Sequence, residues 1–253
     1  MKLATILAIQ APSLGLALVG VNWRFDRFPE LGVSDITFRF NMRTTPVETG
    51  YYFAQQFNFA NVPEVSNCGL QPREMRDGQE IIHADFVSLQ GGTYTTHTNC
   101  ADGVDGGAGV HCWVEFPGNY NHTYNIRIKK KKHTDWEAMI IDDVTKDEYE
   151  IGSWTLPGNA GLIQNGQIGF VEYSPWNSQS SGSCQSLPRT SVTFLKPSAK
   201  HFVAKRGRIL KVYEYGDCIA EAGFSAREVK KGWTVRLGFA NATTEQQDEA
   251  SES

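Results

Sequence analysis

Apolar and polar side chains alternate with a period of two along most of this chain, a pattern that predicts strands rather than helices. Ile36-Thr37-Phe38-Arg39-Phe40-Asn41-Met42-Arg43 is a clear instance. In residues 50–59, Tyr51, Phe53, Gln55 and Phe57 share one face, and Tyr52, Ala54, Gln56 and Asn58 share the other. Further strands are predicted at 80–89, 109–116, 124–131, 136–142, 148–153, 167–172, 191–195, 211–215 and 234–239. Turn chemistry fills the gaps, with Asp77-Gly78, Gly91-Gly92, Pro117-Gly118, Pro157-Gly158 and Asn165-Gly166. Only a short helical turn is expected, around 220–229. The expected architecture is all-β, an antiparallel two-sheet jelly-roll sandwich of the concanavalin or lectin type, with a closed barrel as the alternative.

The two ends read differently. Lys2 precedes an apolar run from Leu3 to Val19, interrupted by Gln10, Pro12 and Ser13. This pattern predicts a secretory signal peptide over residues 1–20, cleaved near Gly20, and not a membrane span, because the run is short and no second one follows. Residues 21–239 are then a single sandwich domain with a C-terminal extension from about 198, and 240–253 form an acidic tail too polar to fold. The expected location is extracellular.

Composition changes this picture little. Hydrophobic residues make up 40% and the net charge is −4, so electrostatics singles out neither nucleic acid nor membrane as a partner. The five cysteines, Cys68, Cys100, Cys112, Cys184 and Cys218, add more. In an oxidising compartment most should pair, and an odd count leaves at least one thiol without an intramolecular mate. Cys100 and Cys112 are a plausible clamp around the glycine-rich loop between them. No C-x-x-C spacing exists, so disulfides are preferred to zinc and no metal ligands are assigned. Sequons begin at Asn121 and Asn241.

Candidate chemistry concentrates in residues 108–173. On the strand at 109–116, alternation puts His111, Trp113 and Glu115 on one face and Cys112, Val114 and Phe116 on the other, core face. An outward tryptophan offers a flat apolar platform for a sugar ring beside polar handles. The substrate-binding candidates are therefore Trp113, with Trp136, Glu137, Tyr173 and Gln55. If the protein cleaves glycans, the catalytic candidates are Glu172 with Glu115 or His111. Glu172 is preferred because it lies in an apolar strand, where desolvation would raise its pKa. A retaining hydrolase needs two carboxylates about 5 Å apart, and an inverting one about 6.5–9.5 Å. The E-x-D-x-x-E strand signature of sandwich glucanases is absent.

A polysaccharide lyase would draw on His83, His111, Tyr124 and Tyr173, but the lyase strand motifs are not intact. A copper monooxygenase would need an N-terminal histidine in the mature chain, and no histidine precedes His83. The run Lys129–Lys132 sends alternate lysines to opposite faces, so it does not make one basic patch. Asp102-Gly103-Val104-Asp105-Gly106-Gly107 resembles part of a calcium loop but lacks EF-hand spacing; structural calcium is the one ion it suggests, and no other cofactor is expected.

The order Gly109-Val110-His111, the strand Thr123–Ile128, Thr134-Asp135-Trp136-Glu137-Ala138, Ile151-Gly152-Ser153-Trp154 and Gly169-Phe170-Val171-Glu172 resembles a secreted domain-of-unknown-function family numbered 3472. The run Tyr51-Tyr52-Phe53 with Gln55 or Gln56 resembles the first sheet strand of that family. The resemblance covers about half the chain and implies a concanavalin-like β-sandwich that binds or acts on extracellular glycans. It supplies no catalytic residues. The extra cysteines and the glycine-rich loop at 103–109 depart from the family pattern.

The reading that follows is a secreted carbohydrate-binding protein whose partner is an extracellular polysaccharide or other glycan. The alternatives are a glycan-cleaving enzyme and a disulfide-stapled interaction protein.

Overall fold

A computed structural model describes residues 17–104, 106–175 and 183–240. Fifteen strands form two antiparallel sheets, as the alternation predicts. One sheet has eight strands and contains β1 (Ala17–Arg24), β3 (Tyr51–Phe57), β4 (Ser66–Arg76), β5 (Gln79–Ser88), β6 (Cys100–Val104), β7 (Gly107–Pro117), β11 (Gln167–Tyr173) and β13 (Arg208–Glu214). Its strand order is β13-β1-β11-β3-β4-β5-β7-β6. The other sheet has seven, β2 (Asp35–Asn41), β8 (Thr123–Lys130), β9 (Asp135–Asp142), β10 (Glu148–Thr155), β12 (Thr190–Ala199), β14 (Ser225–Val229) and β15 (Gly232–Leu237), in the order β10-β9-β8-β2-β12-β15-β14.

The inner faces meet in an aromatic core. Phe38 of β2 stacks on Phe57 of β3, with ring centroids 5.7 Å apart, and Phe86 of β5 lies flat against Trp154 of β10 at 3.4 Å. Both contacts cross from sheet to sheet, which is what inward-facing alternate residues of a sandwich do. Burying each such ring contributes about 1.5–3 kcal/mol before packing is counted.

Four strands went unpredicted: β1, β4, β6 and β14. In β4 the sequence Ser66-Asn67-Cys68-Gly69-Leu70-Gln71-Pro72 hides the alternation behind polar residues, a glycine and a proline. Pro72 is tolerated because it lies beyond the β3–β4 ladder, which ends at Phe53 and Leu70. The helical turn expected around 220–229 is instead a turn followed by β14.

The strand layout bears on two expected boundaries. Cleavage near Gly20 would fall inside β1, whose Leu18, Val19 and Val21 are buried and which pairs with both β11 and β13. The region after 198 is no appendage, because β13 joins the eight-stranded sheet while β14 and β15 join the other. The tail from 241 and its sequon at Asn241 lie outside the described residues, whereas Asn121 sits exposed in the turn before β8.

Disulfides join Cys100 to Cys112, cross-strand partners on β6 and β7, and Cys184 to Cys218. Cys68 is the odd thiol, fully buried, and burial pushes its pKa well up, so it behaves as a small apolar side chain. Among the described residues no helix is long and apolar enough to cross a membrane.

Candidate functional site

Strand β7 carries its side chains as alternation requires. Cys112 and Phe116 are buried against the other sheet, while His111, Trp113 and Glu115 stand on the outer face of the eight-stranded sheet. Trp113 remains 40% exposed, and its ring centroid is 5.0 Å from that of His111. The Cys100–Cys112 bond pins the strand immediately beside it.

Register brings a polar cluster alongside. His83 of β5 pairs with Glu115 and Asp85 with Trp113, and on the other side Gln71 of β4 pairs with His83. Asp85, almost fully buried, accepts hydrogen bonds from the Tyr52 hydroxyl at 2.6 Å and from Gln71 Nε2 at 3.2 Å. Tyr52 reaches Asp85 from β3 across β4 because residue 69 between them is glycine: a Cβ there would lie 2.5 Å from Tyr52 Cε2. Tyr52 also donates to Asn67 Oδ1, at 3.0 Å.

The electrostatics follow from this packing. Burial, reinforced by the Asp85 carboxylate, raises the Tyr52 phenol well above its usual pKa, so it stays a proton donor. Burial lowers the His83 pKa, with Arg73 acting in the same direction against the pull of Asp85 and Glu115. Glu115 is pushed upward by burial, but hydrogen bonds from Arg76, Arg73 and His83 outweigh that push and bring it to about 2. Those contacts are 2.6 Å from Arg76, 2.9 Å from Arg73 and 3.3 Å from His83 Nδ1. Glu115 is therefore a fixed anion that holds other groups, which does not suit it to general acid work.

His83, Asp85 and His111 each offer one ligand atom, and these three atoms lie within 4.8 Å of one another. His111 Nε2 is 3.7 Å from Asp85 Oδ2, too long for a hydrogen bond. The calcium-like loop offers less, since the Asp102 carboxylate accepts the Thr95 backbone N–H, and Asp105 lies outside the described residues.

Several candidates are corrected. Trp136 is fully buried between the sheets, packed edge-on to Phe59 with centroids 4.7 Å apart, so its ring is not an open stacking platform, although the residue borders a concavity that Glu137 also lines. Gln55 faces the same core, on the face of β3 that carries Tyr51, Phe53 and Phe57. Tyr173 is half-buried and packs on Tyr51 at 4.9 Å, on the core side of β11. Glu137 projects from the other sheet, where Lys131 and Lys129 hold it at 2.7 and 3.5 Å.

Glu172 does share the outer face with Glu115, in one row across β11, β3, β4, β5 and β7. Four inter-strand steps of about 4.8 Å separate them, roughly 19 Å. That is beyond either hydrolase spacing, and His111 lies further along β7 still. Glu172 instead neighbours Tyr52 and Tyr215, raising the pKa of both phenols behind the larger effect of burial. Of the lyase set, Tyr124 is buried in the core and away from both histidines' face.

Sequence reasoning missed Asp85, Tyr52 and Gln71. The available signal was His83-Ala84-Asp85, a carboxylate two residues from a histidine in an otherwise apolar strand. A further concavity of about 500 Å³ lies elsewhere, lined by Arg39, Lys196, Lys205, Arg206, Lys230 and Lys231. Its cations come from β2, β12 and two loops that the sequence does not bring together.

No protein-family model matches the chain, and no curated protein matches it. Among solved structures it is similar to scytalido-glutamic peptidase bound to a peptide-based transition state analog, at 10% identity and a TM-score of 0.43. The same peptidase with a transition state analog inhibitor gives 10% and 0.44, and SCP-B, an eqolisin-family peptidase in complex with the tripeptide Ala-Ile-His, gives 8% and 0.42. Each comparison covers 88% of this chain and 98% of the other.

Proposed function

We propose that this is a secreted carbohydrate-binding protein and that the outer face of its eight-stranded sheet, centred on Trp113, receives an extracellular glycan. The observation that carries the reading is the position of Trp113, 40% exposed on a disulfide-pinned strand beside His111 and the Asp85 cluster. An exposed indole next to fixed hydrogen-bonding groups suits a sugar, which offers an apolar ring face and a rim of hydroxyls. Preorganisation lowers the ordering cost of binding, and here Tyr52, Gln71 and Glu115 are already held by hydrogen bonds. The two disulfides fit an oxidising compartment.

Binding is preferred to cleavage because Glu172 stands four strands from Glu115, and Arg73 and Arg76 hold Glu115 as an anion, so the predicted hydrolase pair does not form. A glycan array run beside a reducing-end release assay on plant, fungal and algal polysaccharides tests this. Binding without release is expected. Release of reducing ends would replace the reading with an enzymatic one. Binding that survives Trp113→Ala but is lost on reversing Lys230 and Lys231 to glutamate would move the site to the basic concavity.

A further inference from the structure

His83 and Asp85 are buried, and each already has a side-chain partner. His83 Nδ1 faces Glu115 Oε1 at 3.3 Å, which leaves Nε2 as the other ring nitrogen, and that atom is buried with no hydrogen-bond partner. Asp85 Oδ1 accepts from Tyr52, and its Oδ2, which accepts from Gln71 Nε2, also lies 3.7 Å from His111 Nε2, an atom that is buried and unpartnered. Two buried imidazole nitrogens without partners, beside one buried carboxylate, would each cost free energy if nothing joined them.

We propose that His83 Nε2, His111 Nε2 and Asp85 Oδ2 bind a divalent transition-metal ion, zinc foremost, on the outer face of the eight-stranded sheet. The donor set decides the class of ion. Two imidazoles and a carboxylate suit zinc and its first-row neighbours, whereas calcium and magnesium require oxygen-rich sites. The geometry is near what the ion needs. Ligand atoms about 2.0–2.2 Å from a tetrahedral ion stand roughly 3.3 Å apart, so atoms now within 4.8 Å close the site by about 1.5 Å at most.

The surrounding groups are those a metal site uses. Glu115 accepting from His83 Nδ1 forms a carboxylate–histidine–metal relay, and the Tyr52 and Gln71 donors orient the Asp85 carboxylate. Three protein ligands would leave a coordination position unfilled, and His111, the most exposed of the three, stands beside Trp113. The inference stands independently of glycan binding.

Untagged protein, stripped with a chelator and titrated calorimetrically with zinc chloride, tests the proposal, together with cobalt(II) absorption. One equivalent should bind, with visible bands of low-coordinate cobalt(II). His111→Ala, at a half-exposed position that the fold tolerates, should weaken binding at least 100-fold while the circular dichroism spectrum stays unchanged. Glu115→Gln, acting through His83, should weaken it about 10–100-fold. His122→Ala, in the turn before β8 of the other sheet, should leave affinity as it was. Absence of stoichiometric binding, or binding unaltered by both His111→Ala and His83→Ala, would overturn the proposal. These readouts involve no sugar, so failure of the glycan reading leaves them untouched.

Discussion

Beginning the chain at Val21 in place of Ala17 should destabilise the whole sandwich, because it cuts a strand that has neighbours on both sides. The deletion removes Leu18 and Val19, 3% and 0% exposed, and their pairings with Val171, Glu214 and the Tyr215 N–H. Burial of the two side chains contributes about 3–6 kcal/mol, an upper estimate because an unfolded chain already hides some apolar surface. Against a typical total of about 5–15 kcal/mol this is a large share. For a domain of this size it corresponds to a fall in melting temperature of about 6–24 °C. Thermal and urea unfolding of the two chains, followed by near-ultraviolet circular dichroism, measures the difference. Equal midpoints would refute the assignment of residues 17–20 to the core. If the protein is exported as proposed, N-terminal sequencing of the processed chain should correspondingly find a start at or before Ala17.

Replacing Cys184 and Cys218 by serine should cost more stability than replacing Cys100 and Cys112, because sequence separations of 34 and 12 imply about 3.8 and 2.8 kcal/mol of loop-closure entropy; denaturant midpoints of the two double variants give the order. Gly69→Ala should destabilise by about 1–3 kcal/mol by forcing Tyr52 away from Asp85, again read from unfolding midpoints. Burial raises the Asp142 pKa, but hydrogen bonds from His122 and the Val144 and Thr145 N–H groups outweigh it, so folding lowers the pKa below its ordinary 3.8. The resulting stabilisation is complete above that value and is lost as the pH falls through the folded pKa. Asp142→Asn should therefore flatten the stability profile below about pH 4, where the wild-type protein loses stability on acidification.

Period-two alternation was a sound guide wherever the two faces of a strand differ. It sorted β7 correctly, and the predicted strands at 36–43, 80–89, 124–131 and 136–142 lie within about two residues of β2, β5, β8 and β9. It failed at β1, where a buried strand continues an apolar leader-like run without a break in hydropathy, and at β6 and β14, which are short and have no fully buried position. Trp136 and Gln55 were misplaced for another reason. Their residue types suggested ligand contact, yet the alternation set Trp136 with Ala138 and Ile140, and Gln55 with Phe53 and Phe57, all core positions. The Asp85 cluster was legible only in part, because it depends on which strands are neighbours, and β4, the strand that sets β3 beside β5, was itself unpredicted.

The account turns on Trp113. Isothermal titration of a glycan selected on the array, against wild-type protein, Trp113→Ala and the exposed-loop control Phe202→Ala, tests it most directly. Phe202 is 81% exposed and lies outside both sheets. Loss of a stacked indole worth about 1.4 kcal/mol or more predicts at least a tenfold weaker Kd for Trp113→Ala and an unchanged Kd for Phe202→Ala. An affinity that survives Trp113→Ala would contradict the assignment of this face as the glycan site.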